Sequence, residues 1–143
     1  MTALPVSKSG KDTFEVAAGA ARQAGEILKA RFRAENRVQY KGRANIVTDV
    51  DLKSERSLKK LLQAEYPDHG ILSEESQPVT GSQAYKWILD PLDGTNNYTF
   101  GIPFFCIVIA LVKGNDVLLG IVYDPLRDEM FAAQKGKGAA LNN

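Results

Sequence analysis

Trp87-Ile88-Leu89-Asp90-Pro91-Leu92-Asp93-Gly94-Thr95-Asn96-Asn97 is the stretch on which the reading of this chain turns. Its apolar opening predicts a buried strand that ends abruptly at the Asp-Pro-Leu-Asp-Gly-Thr segment. Asp90 and Asp93 leave the strand end together, within reach of a common point. Pro91 has no N–H and a fixed φ, so it stiffens the turn between them. Gly94 lets the backbone approach a ligand closely. If a helical turn starts near Thr95, its free N–H groups favour phosphate. Mg²⁺ takes oxygen ligands in near-octahedral geometry and keeps several waters, a demand that these groups suit. Asp, Pro, Gly and Asn are also the usual formers of an ordinary turn. Taken alone, the stretch is open to both readings.

The 143 residues suffice for one ordinary domain with a real core. Hydrophobic residues at 44% and charged residues at 24% are usual for a soluble globular protein. A formal net charge of +1 points to neither nucleic acid nor an acidic membrane surface as partner. The single cysteine, Cys106, has no partner for an internal disulfide and is predicted to be a small buried hydrophobe. A reducing, cytoplasmic setting fits. No signal peptide opens the chain, and no apolar run approaches a membrane span. There is no internal repeat and no low-complexity segment.

After a loose polar start from Met1 to Lys11, Asp12 with Glu15 resembles a helix N-cap and its reciprocal partner. Phe14, Ala17, Ala18, Ala21, Ala24, Ile27 and Leu28 recur at helical spacing and predict a helix from Thr13 to about Phe32. Gly19 and Gly25 either weaken it or permit close packing. Val38 and Tyr40 alternate as a possible short strand, and Lys41-Gly42-Arg43 reads as a mobile basic loop. Thr48 with Asp51 matches a capping pattern and opens a second helix from about Val50 to Glu65, with Leu58, Leu61 and Leu62 on its buried side. Tyr66-Pro67 stops it. His69 reads as a turn residue rather than a catalyst or a ligand.

A short apolar strand at Gly70-Ile71-Leu72 ends in Glu74 and Glu75. Beyond the opening stretch, Phe104 to Lys113 reads as a strand too uniformly apolar to have a wet face. Gly114-Asn115 is a hairpin turn. Val117 to Tyr123 and Glu129 to Ala133 are returning strands, and Lys135-Gly136-Lys137-Gly138 is a closing loop. Two helices followed by a meander of strands give an α+β class with a largely antiparallel sheet.

Three acidic clusters thus stand at element ends: Asp49/Asp51, Glu74/Glu75 and Asp90/Asp93. Acidic groups at a helix start, or solvated in a loop, account for each cluster taken singly. Together, Val47-Thr48-Asp49-Val50-Asp51, Ser73-Glu74-Glu75-Ser76 and the stretch from Trp87 to Tyr98 resemble the inositol monophosphatase family of Mg²⁺-dependent, lithium-sensitive phosphatases. Gly120-Ile121-Val122-Tyr123-Asp124-Pro125 and Lys135-Gly136-Lys137-Gly138-Ala139 also look like family segments. The resemblance covers almost the whole chain.

The resemblance implies the N-terminal half of a layered αβαβα sugar-phosphatase fold. Glu74, Asp90 and the Leu92 carbonyl match the ligands of a first metal, Mg²⁺ with Mn²⁺ as a substitute. Asp90 also bridges to a second metal, which Asp93 helps to bind. Glu74 and Thr95 match the pair that activates the attacking water, and Asp51 matches a carboxylate supporting Thr95. The backbone at Gly94 and Thr95 would hold phosphate. Glu74, Leu92, Asp93, Gly94 and Thr95 therefore form the substrate-facing set. The implied partner is a small phosphate monoester, with inositol monophosphate foremost. Fructose bisphosphate, histidinol phosphate and nucleotide phosphates are alternatives, and the family suggests a homodimer. Members of the family are longer, with a second α/β half that completes the second metal site. Residues 1–143 are accordingly expected to be a metal- and phosphate-binding half lacking that second domain, with weak or no turnover alone and an apolar face exposed. A non-catalytic scaffold or interaction module is the alternative from another functional class.

Overall fold

Asp12 and Thr48 set the two long helices, which lie against one side of a six-stranded sheet. The computed structural model describes residues 3–34, 38–40 and 46–142. The predicted loop Lys41-Gly42-Arg43 lies outside the described residues. The helices are α1 (Thr13–Arg31), α2 (Asp49–Glu65) and the short α3 (Thr95–Thr99). A small antiparallel pair joins β1 (Val38–Tyr40) to β2 (Ile46–Thr48). The main sheet comprises β3 (Gly70–Ser73), β4 (Tyr85–Asp93), β5 (Cys106–Lys113), β6 (Asp116–Asp124), β7 (Glu129–Gln134) and β8 (Gly138–Leu141). These six stand in chain order across the sheet. Only β3 and β4 are parallel; the rest form an antiparallel meander. The α+β class and the two N-terminal helices on a largely antiparallel sheet are as predicted. Among the described residues no helix is long and apolar enough to cross a membrane.

The Asp12 carboxylate accepts from the N–H groups of Phe14 and Glu15 and so caps α1. At α2 the cap is reciprocal: Thr48 Oγ accepts from the Asp51 N–H, and the Asp51 carboxylate accepts from the Thr48 N–H. The alanines of α1 keep its buried face thin, so the helix backbone comes close to the sheet. Gly25 is where this is tightest, since a Cβ there would lie 2.7 Å from the Tyr123 ring and 3.1 Å from Pro125. Ala17, Ala21, Ala24 and Leu28 of α1 and Leu58 and Leu62 of α2 close over Trp87, Ile107, Ile109 and Leu111. His69 lies in the turn that leads into β3, as expected. It is buried and stacks between Tyr66 and Tyr85, at 4.8 and 5.1 Å, and desolvation lowers its pKa.

Four sequence expectations shift at the level of single elements. A β2 strand precedes α2 where the chain was expected to run straight into the helix. β4 continues through Asp93 instead of ending at Asp90. The closing loop is followed by an edge strand, β8. β5 starts at Cys106, and its burial alternates instead of being uniform. The alternation has a clear origin. Leu72 pairs with Ile88, Ile88 with Ala110 and Ala110 with Gly120, while Val108 pairs with Val122, Val122 with Phe131 and Phe131 with Leu141. These rows form the sheet face turned away from α1 and α2. Leu72, Ile88, Val122, Phe131 and Leu141 are each 38–48% exposed, and no described residue covers the face. An exposed apolar face was expected, and a contiguous patch of this kind favours association.

Two outcomes follow from this packing. Gly25→Ala should lower unfolding free energy by about 1–3 kcal/mol, because the new methyl meets an aromatic ring that has no room to retreat; urea denaturation reads this, and unchanged stability would contradict the close approach. A Val122→Lys/Phe131→Lys double variant should reduce concentration-dependent association in sedimentation while keeping the thermal midpoint close to that of the parent. Undiminished association would show that this face is not the adhesive one.

Candidate active site

Two strand ends and one bulge gather the acidic groups. β3 and β4 run parallel with Ser73 opposite Leu89, so the residues that follow, Glu74 and Asp90, emerge at the same carboxyl edge. The Glu74 N–H reaches back to the Leu89 carbonyl at 3.4 Å. On the other side of β4, Asp90 pairs with Val108 and Asp93 pairs with Cys106. Pro91 and Leu92 therefore face the single residue Ile107, which is a β-bulge. In a regular strand, residues an odd number apart point to opposite faces. The bulge resets that alternation, burying both Pro91 and Leu92 and turning Asp90 and Asp93 to the same, outer side. Pro91 tolerates this position because the bulge does not require its missing N–H.

The carboxylates pay for their closeness in electrostatic free energy. The Asp90 pKa is pushed up to about 7, first by burial, then by the negative charge of Glu74, a hydrogen bond with Glu74, and the charge of Asp93. Burial and the neighbouring like charge thus favour the protonated form of Asp90. The Leu92 N–H donates to the Asp90 carboxylate at 3.3 Å, and the Leu92 carbonyl lies 3.2 Å from Thr95 Oγ, so this carbonyl faces the same space. Hard oxygen donors in excess of cations are the donor set that Mg²⁺ or Mn²⁺ prefers. Among the described residues no three His, Cys, Asp or Glu side chains form a ready-made metal cage.

α3 follows immediately. Gly94 is its N-cap at φ 98°, a left-handed conformation, and a Cβ there would lie 3.0 Å from the Phe104 carbonyl. Gly94 has no side chain to cap this turn, and among the described residues no side-chain hydrogen bond caps it. Tyr98 anchors it from behind: the ring packs on Phe32 and Phe105, and the hydroxyl donates to the Leu28 carbonyl at 2.8 Å. Thr95 Oγ lies 2.9 Å from the Asp51 carboxylate. Asp51 is wholly buried, and desolvation raises its pKa against the opposing pull of hydrogen bonds from Thr48 and Thr95. The two aspartates opening α2 thus part company. Asp51 joins the site, whereas Asp49 forms an ion pair with Arg31 at the end of α1, 2.9 Å away.

Glu74, Asp90, Leu92, Asp93, Gly94, Thr95 and Asp51 accordingly converge from four segments. Sequence reasoning overlooked Ser54, whose hydroxyl donates to the Pro91 carbonyl at 2.7 Å from a buried position. Its signal was a polar residue three positions after Asp51 and four before Leu58, on a helix face expected to be apolar. Cys106 was also misplaced. It is half-buried on the outer face rather than in the core, because it pairs with Asp93; its Sγ lies 3.8 Å from the Asp93 carboxylate. Burial and that negative charge push its pKa up to about 12, so the thiol stays neutral and is a poor nucleophile. Asp93 and Cys106 open into a cleft of about 570 Å³ whose far wall carries Arg127 and Phe131. Another cleft, about 520 Å³, lies between the N-terminal segment and the β6–β7 strand ends and contains none of the predicted residues.

The chain is 39% identical over 132 residues to a Nus factor SuhB of Haemophilus influenzae, covering 90% of this chain and 49% of that protein. It is 36% identical over 135 residues to an inositol monophosphatase of Mesembryanthemum crystallinum, covering 92% and 50%. The solved structure of the extragenic suppressor protein suhB from Bartonella henselae superposes with a TM-score of 0.89 at 37% identity, over 91% of this chain and 52% of that one. A structure of an IMPase/NADP phosphatase complexed with Mg²⁺ and phosphate gives a TM-score of 0.75 at 27% identity, over 85% and 47%. The chain thus spans about half the length of the relatives it matches. The family model described as inositol monophosphatase family matches residues 11–143, and with the fold and the clustered acidic residues it places the chain in the inositol monophosphatase family.

Proposed function

We propose that this chain supplies the metal- and phosphate-binding half of a Mg²⁺-dependent phosphomonoesterase, with inositol monophosphate as its leading substrate. The observation that carries the reading is the Glu74–Asp90 pair, desolvated and crowded beside Asp93, facing an uncapped helical turn and the Asp51–Thr95 contact. Glu74, Asp90 and the Leu92 carbonyl would hold the cation, and Asp93 would help to hold a second. When bound, the metal lowers the pKa of a water and neutralises charge on the phosphoryl group.

The rest follows from the chain's own groups. Thr95 has one hydroxyl proton, and two acceptors compete for it, Asp51 at 2.9 Å and the Leu92 carbonyl at 3.2 Å. With Asp51 ionised and accepting that proton, a lone pair of Thr95 Oγ is left to orient a water. Glu74 is the general base for the same water. The N–H groups at Gly94 and Thr95 bind phosphoryl oxygens, where developing charge is greatest. Neither Cys106 nor His69 takes part: the first is a neutral thiol and the second is enclosed by aromatic rings. The choice among inositol, fructose, histidinol and nucleotide phosphates rests on groups that contact the alcohol portion. A second reading, a non-catalytic interaction module, is favoured by the apolar face beside the site, which no described residue covers.

Three outcomes test the proposal. In a full-length protein carrying this sequence, Asp93→Asn should abolish phosphate release with little loss of fold, and Thr95→Ala should lower kcat by about 100-fold or more; unimpaired phosphate release in either variant would refute the assigned roles. The 143-residue chain alone should turn over inositol 1-phosphate weakly or not at all, and efficient metal-dependent release would overturn its standing as half a site. The third outcome concerns pH. The folded pKa of Asp90 lies above its unfolded value, so its contribution to stability is complete below about pH 4 and is lost as pH rises through about 7. The metal-free chain should therefore lose more thermal stability between about pH 5 and about pH 8 than Asp90→Asn does. Added Mg²⁺ should raise the melting temperature more at the higher pH, where it displaces less proton. A pH-independent difference between the two proteins would contradict the crowded-carboxylate account.

A further inference from the structure

α2 carries a second pair of polar groups that the proposed chemistry does not use. Glu55 is 4% exposed, an unusual position for a carboxylate, on a helix that also buries Asp51, Ser54, Leu58 and Leu62. Ser73, the last residue of β3, donates to its Oε2 at 2.9 Å. The Lys59 ammonium lies 3.6 Å from its Oε1, one helical turn further on. That same ammonium donates to Ser76 Oγ. Ser73 and Ser76 flank Glu74 and Glu75 directly. One buried carboxylate and one lysine therefore grip both ends of the turn that delivers Glu74 to Asp90.

The grip is needed because Glu74 is pushed away from where it is wanted. Asp90 and Asp93 bear charge of the same sign, and the backbone bond from Glu74 to Leu89 in β4 is long, at 3.4 Å. With Glu74, Asp90 and Asp93 all ionised, mutual repulsion favours a turn swung outward. A network anchored in the helix core opposes this before any cation binds, which lowers the cost of closing the site. We infer that Glu55, acting through Ser73 and with Lys59 on Ser76, is a positioning residue for the metal site, holding Glu74 in a ligating position. The inference rests on the metal reading of Glu74 and Asp90 given above.

The test is a Mn²⁺ titration of the metal-free chain, counting free ion by electron paramagnetic resonance, with thermal midpoints recorded without metal. Ser73→Ala removes the hydroxyl and should weaken Mn²⁺ binding about 10-fold or more, as loss of outer partners of metal ligands commonly does. Ser73→Thr restores the hydroxyl and should restore most of the affinity. Lys59→Gln, nearer the helix surface, should weaken binding less, with no change in far-ultraviolet dichroism. Tyr66→Phe is the control. It breaks the buried hydrogen bond to Thr13, 3.2 Å long and remote from the carboxylates, and should lower the thermal midpoint while leaving Mn²⁺ affinity unchanged. Equal Mn²⁺ affinity in Ser73→Ala, Lys59→Gln and the unsubstituted chain would overturn the positioning role while leaving the metal reading intact. Failure of the unsubstituted chain to bind Mn²⁺ would overturn the metal reading, and this inference with it.

Discussion

Like charges held close to one another are the constraint around which this molecule is arranged. Glu74, Asp90 and Asp93 approach one another although burial and mutual repulsion oppose it. Something must hold them there, and the architecture does so in three ways. Parallel pairing brings two strand ends to one edge, a bulge turns two aspartates to one face, and a buried helix face ties down the intervening turns.

The division of labour along α2 follows from the same constraint. Its later turns bury Leu58 and Leu62 against the sheet, as any amphipathic helix does. Its first turns bury Asp51, Ser54 and Glu55 instead. Buried polar groups are costly unless paired, and each of these is paired with a different segment of the site: Asp51 with Thr95, Ser54 with the Pro91 carbonyl and Glu55 with Ser73. Residues three and four apart share a helix face, so one rigid element sets the relative positions of the ends of β3 and β4 and the start of α3. Satisfying these groups and positioning the site are one and the same requirement.

Periodicity and caps made much of the fold legible. Asp12 and Thr48 marked both long helices, the alanines of α1 announced close packing, and Gly114-Asn115 marked the hairpin between β5 and β6. The bulge at Pro91-Leu92 was not legible, because Pro in a strand also reads as its end, and only pairing with Cys106 reveals that β4 continues. β8 was hidden by glycines and lysines that read as loop. Cys106 looked like core because its neighbours are apolar, while its face depends on a register fixed by β4. The acidic residues of the site were legible as a set only through their resemblance to a known family. Ser54 and Glu55 were not, since side chains that position others carry no signature until their partners are located.

The central claim is that the crowded carboxylates are a cation site. Anomalous diffraction from crystals of this chain grown with Mn²⁺ would test it most directly. The account predicts a peak bounded by the Glu74 and Asp90 carboxylates and the Leu92 carbonyl, lost in Asp90→Asn. Its absence from that place at saturating Mn²⁺, or a peak that persists unchanged in Asp90→Asn, would contradict it.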